Sequence, residues 1–94
     1  MIPTIKDIEF PLLKLLYSHE SLSWDECTDK LAIQFNLSSD ARKLMMPNGK
    51  CGTFRYRVGW AKANLKRLGL VDAKKRGVYY ITHKGIIYIK DKNI

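Results

Sequence analysis

The chain has 94 residues, enough for one hydrophobic core and too few for two independent ones. With 46% hydrophobic residues, among them three Phe, two Trp and five Tyr, it is globular in type and not disordered. Seventeen Lys and Arg against nine Asp and Glu leave a net charge of +8, which points to an anionic partner, either nucleic acid or an anionic membrane surface.

The charge is divided along the chain. Residues 1–40 hold three lysines and seven acids, whereas residues 41–94 hold fourteen cations and two acids. The anion-facing surface is therefore expected in the second half. No apolar run approaches the roughly 20 residues that span a bilayer. The N-terminus has no basic segment followed by an apolar run, so no membrane partner is expected and the chain reads as cytoplasmic. Cys27 and Cys51 are too few for a disulfide framework, and with His19 and His83 they form no close pair of the kind a zinc site uses.

A first helix is expected over 5–18, where Thr4 and Asp7 have capping-box spacing and Ile8, Leu12, Leu13, Leu15 and Leu16 form an apolar stripe. Pro11 lacks the N–H that would bond the Asp7 carbonyl, so a kink or restart is predicted there. A second helix over 24–36 follows the Ser23/Glu26 capping box, buries Trp24, Cys27, Leu31 and Phe35, and ends at Asn36, a residue suited to a left-handed cap. Ser38 or Ser39 should cap a short helix over 40–45, and Pro47 should stop it. The glycine-containing stretch 46–52 reads as a loop within the domain.

Thr53 is expected to cap a long helix over 53–68 in which Phe54, Val58, Ala61, Leu65 and Leu68 recur on one face before Gly69 ends it. Two β-prone runs then flank a basic turn, giving a hairpin over 70–81 with Lys74, Lys75 and Arg76 at its tip. A closing helix over 82–90 carries Ile86, Ile87 and Ile89. The expected fold is mainly α with a small β-hairpin, one domain over 1–94, and its element order is that of a winged helix-turn-helix.

Particular strings support that order. The stretch Phe54-Arg55-Tyr56-Arg57-Val58-Gly59-Trp60-Ala61, followed by Leu65, Gly69-Leu70, Arg76-Gly77-Val78 and Ile81-Thr82, resembles the N-terminal domain of Mrr-type restriction proteins. Ile2-Pro3-Thr4 with Pro11-Leu12-Leu13-Lys14-Leu15-Leu16 is similar to it as well. The resemblance implies a winged-helix DNA-recognition domain placed ahead of a nuclease that cuts modified DNA. No nuclease is expected within these residues, so the chain is read either as a recognition module alone or as part of a longer nuclease. A preference for methylated bases comes from the resemblance only, because no aromatic cage or base-flipping pocket can be assigned from the sequence.

The long helix is the expected reading element. On a helical wheel, Arg55, Lys62 and Lys66 flank Gly59 and Ala63 on one side, and Tyr56 and Arg67 lie on the other. Two small residues would let the backbone approach a groove floor, with the cations reaching bases and phosphates. The alternative is a solvated basic helix with an incidental glycine. Lys74, Lys75 and Arg76 are expected on phosphates, as are Lys50 and the hydroxyl of Thr53. Arg57 and Trp60, at the border of the apolar stripe, are expected to be structural, although Arg57 could pair with an acid of the first two helices as easily as with phosphate. The acidic first half should face away from DNA.

Catalytic signals are absent. Asp72-Ala73-Lys74 spells half of a metal-nuclease signature, but no Asp or Glu lies between Ala41 and Val71 to complete it, and no phosphate-cradling glycine motif occurs. The expectation is a double-stranded DNA-binding module with no cofactor and no catalysis of its own; a protein-interaction or dimerisation module is the alternative. The target sequence and the oligomeric state are not legible.

Overall fold

Capping boxes start the first two helices. Thr4 Oγ1 accepts from the Asp7 N–H at 3.1 Å and the Asp7 carboxylate accepts from the Thr4 N–H at 3.2 Å, opening α1, Ile5–Tyr17. The computed structural model describes residues 2–45 and 52–92. α1 does not restart at Pro11: the helix runs through it. An interior proline costs about 3 kcal/mol, and the complete burial of Ile8, Leu12, Leu13 and Leu16 offsets that cost. Truncating one of these leucines to Ala should remove about 2–5 kcal/mol.

Ser23 and Glu26 form the second box at 3.0 Å in both directions and open α2, Trp24–Gln34. Asn36 adopts φ 54°, as its position suggested. The Leu37 N–H donates to the Ala32 carbonyl and the Asn36 N–H to the Ile33 carbonyl, which closes a Schellman end. Ser38 caps the short α3, Ser39–Lys43, through the Ala41 N–H.

The start of α4, Thr53–Arg67, departs from expectation. Gly52 is the N-cap, and Thr53 is the first helical residue, only 8% exposed. The chain returns alongside itself through a Met45–Gly52 bridge, so the Leu44 carbonyl accepts the Thr53 N–H at 2.8 Å. A backbone carbonyl thus satisfies a donor that a side chain was expected to cap. At the other end Gly69, φ 80°, lets the Leu70 N–H reach the Leu65 carbonyl and the Gly69 N–H reach the Lys66 carbonyl. That turn buries Leu70 and leaves Leu68 exposed, contrary to the apolar repeat.

The hairpin joins β2, Val71–Lys75, to β3, Val78–Ile81. A two-residue strand, here β1, Leu22–Ser23, pairs antiparallel with the other side of β3, giving the order β1-β3-β2. The sequence offered no sign of β1, because two residues carry no alternation. α5, His83–Lys92, starts as the Gly85 N–H donates to Thr82 Oγ1. Gly85 lies against the Leu70 carbonyl, which a Cβ would meet at 2.2 Å, so only glycine allows this approach. Of its isoleucines Ile89 is buried and Ile87 exposed. The described residues are mainly helical, with a small three-stranded antiparallel sheet. α1 and α2 pack on the inner face of α4, where Phe54, Val58, Ala61 and Leu65 are buried.

Candidate nucleic-acid interface

The inner stripe of α4 faces the core, so the turn-to-turn order of the remaining positions decides what the helix offers outward. Tyr56 and Trp60 are exposed at 38% and 47%, one turn apart, with ring centroids 6.4 Å apart in an edge-to-face pair. Trp60 was expected to be structural; it lies outside, and the junction on the other side of Gly59 is filled by Trp24. Lys66 and Arg67 continue the outer surface toward the helix end, where Arg67 donates to Asn64 Oδ1 at 3.2 Å. Asn64 in turn donates to Glu9 of α1 at 2.9 Å.

Trp24, the first residue of α2, organises the flank. Its ring lies over Gly59, where a Cβ would stand 2.8 Å from Cζ2, and its Nε1–H donates to the Arg55 carbonyl at 3.3 Å. The absence of a side chain at position 59 is therefore used by an indole of the same molecule, which corrects the reading of Gly59 as an open groove floor. Arg55 stacks its guanidinium 4.1 Å above the Trp24 ring and pairs with Asp25. Lys62 donates to the Tyr79 hydroxyl at 3.0 Å, with its ammonium 4.5 Å from that ring's centroid and 5.8 Å from that of Trp24. Two of the cations expected to reach into the groove, Arg55 and Lys62, are thus held by intramolecular partners. Asp25, in the acidic half that was expected to face away, stands at this corner.

Between Trp24, Tyr56 and Trp60 the surface dips into an open hollow of about 260 Å³, also lined by Gly59, Lys62 and Ala63. Cys27 lies buried below the corner, and that burial pushes its thiol up to about 12. Glu26 is held below the usual carboxylate range by its bonds to Ser23.

The hairpin adjoins the same corner. The Trp24 N–H donates to the Gly77 carbonyl at 3.0 Å, and Gly77 turns the chain at φ 80°. Ala73 pairs with Tyr79 and Lys75 with Val78, so Lys74 is an extra residue bulged out of β2. Lys74, Lys75 and Arg76 are exposed. Only Arg76 and Gly77 form the turn; the two lysines, expected at the tip, belong to the strand.

Thr53 is buried and its N–H occupied, so it is not placed to meet a phosphate. Lys50 lies outside the described residues. Arg57 is structural, as expected, but through the carbonyls of Ile2 and Pro3 at 3.1 Å each and not through an acid. Among the described residues no three His, Cys, Asp or Glu side chains gather as a metal site requires, and no helix is long and apolar enough to cross a membrane. Trp24 and Trp60 are the participants that sequence reasoning missed. The available signal was Gly59, since a glycine within a helix marks a close approach without saying whose.

This architecture has a family. The model of the Mrr N-terminal domain matches residues 6–90, and the chain belongs to that family, which associates it with Mrr-type restriction systems. No curated protein and no solved structure matches it.

Proposed function

We propose that the chain is a winged helix-turn-helix module that docks on double-stranded DNA, with α4 entering the major groove and the β2–β3 hairpin as the wing. The element order supports this, from α1 through β1, α2, α3 and α4 to the hairpin. So does the family, which is associated with Mrr-type restriction systems. One observation carries the reading: Trp24 accepts the middle of α4 on its ring and binds the hairpin turn through its N–H, so reading helix and basic hairpin adjoin across one residue. Lys66, Arg67, Lys74, Lys75 and Arg76 then lie on two neighbouring exposed elements, as phosphate contacts beside a groove-bound helix require. The module acts by docking and not by chemistry, and a nuclease domain or subunit supplies the cut.

Fluorescence anisotropy with a random-sequence duplex tests this. Five to seven phosphate contacts give a log K versus log[salt] slope of about −4 to −6. A slope near zero would overturn the DNA reading in favour of a protein-interaction module.

A further inference from the structure

We infer that the hollow walled by Trp24, Tyr56 and Trp60 stacks one unpaired nucleobase, so that the module prefers a duplex carrying an extrahelical base over a fully paired one. The inference rests on the DNA-docking reading and adds a substrate class to it. Tyr56 and Trp60 meet edge to face at 64°, so the two rings are not stacked on each other. Both keep large exposure although inward burial would have been favourable. Beside the Trp24 edge that covers Gly59, the floor is Ala63, which contributes only a methyl. Lys62 lines one side of the hollow with its ammonium drawn to Tyr79, and Arg55 stacks on Trp24 and pairs with Asp25.

The occupant must therefore offer a flat apolar face while belonging to an anion that the surrounding cations attract. A nucleobase in a polynucleotide meets both conditions. In an intact duplex its two faces are covered by neighbouring pairs, and only its edge is presented to a groove. A single methyl on such an edge would touch little of the three rings that line the hollow. An unstacked base presents the face that aromatic side chains accept.

The test compares two labelled duplexes of the same sequence, one fully paired and one with a single extrahelical thymine, by anisotropy at equal salt. Base–aromatic stacking predicts that the bulged duplex binds about five- to a hundredfold more tightly. Trp60→Ala should bring the ratio of the two affinities to near one, Trp60→Phe should restore most of it, and Ala63→Leu, which fills the hollow while keeping the rings, should abolish it. Melting curves confirm that each variant is folded. Equal affinity of the wild type for both duplexes would overturn the inference while leaving the docking reading intact. So would a preference that persists undiminished in folded Trp60→Ala and Ala63→Leu, since deformability of the bulged DNA would then explain it. Failure to bind either duplex would remove both readings.

Discussion

Two sets of cations lie on elements that meet at Trp24 and are used in opposite ways. Around Trp24, Arg55 and Lys62 are held by a ring face, a carboxylate and a phenol. On the hairpin, Lys74, Lys75 and Arg76 project into solvent, and among the described residues they form no ion pair. The acids of the first half show a matching pattern: Asp7 and Glu26 cap helices, Glu9 holds Asn64, Asp25 holds Arg55, and Asp29 holds Arg42 at 3.0 Å. Net charge thus overstates what the surface offers. Which cation serves a partner is decided by whether an aromatic ring or an acid of the same chain reaches it first.

The sharpest attack on this contrast is Lys74→Ala, Lys75→Ala and Arg76→Ala together. If all three meet phosphate, affinity near 0.1 M salt should fall by about two to three orders of magnitude and the salt slope should flatten by about 2.7. The melting temperature should barely move. An unchanged slope would mean that exposed cations and binding cations are different sets.

Gly59→Leu addresses the other side. A leucine cannot share the space with Trp24, so the indole must leave α4, at a cost of about 1–3 kcal/mol, or about 4–20 °C in melting temperature. Trp24 emission should shift to longer wavelength as the ring enters water. A variant as stable as the parent with unshifted emission would show that the Trp24–Gly59 contact is not formed in solution.

A smaller effect is expected from Arg55→Ala and Asp25→Ala. The Arg55 and Asp25 side chains remain 37% and 73% exposed, so a double-mutant cycle on stability should give a coupling of about 0.2–1 kcal/mol. Asp25→Ala alone should raise DNA affinity slightly by freeing Arg55. Coupling above about 2 kcal/mol would make the corner a structural ion pair and not a restraint on a surface cation.

The effects that vanish near neutral pH are in the pH profile of stability, and both concern α2 beneath the corner. The folded Glu26 carboxyl titrates below its ordinary 4.5, so its contribution is present above that pH and is lost as pH falls through the lowered value. Cys27 works in the other direction. The unfolded thiol ionises near 9.0 while the folded one holds its proton to about 12, so stability declines as pH rises above about 9. Glu26→Gln should flatten the acid limb and Cys27→Ala the alkaline one in denaturant titrations. Limbs unchanged by these substitutions would assign the slopes to other groups.

Local chemistry was legible wherever a few consecutive residues determine it. Both capping boxes, the left-handed Asn36 and Gly69, the turn glycine at 77 and the inner stripe Phe54, Val58, Ala61 and Leu65 follow from spacing, because caps and amphipathic faces are set within one or two turns. The family motifs were legible in the same way, as strings. The continuity of α1 through Pro11, the two-residue β1, the burial of Thr53 and the exposure of Leu68 were not, since each depends on residues distant in the chain. The site shows the limit most clearly. A wheel places Gly59 between cations, but it cannot show that the indole of Trp24, 35 positions earlier, lies on it and draws Arg55 inward while Trp60 is left in solvent. Sequence periodicity determines which face of a helix is apolar; only packing against a second helix decides which side chains on the other face remain available to a partner.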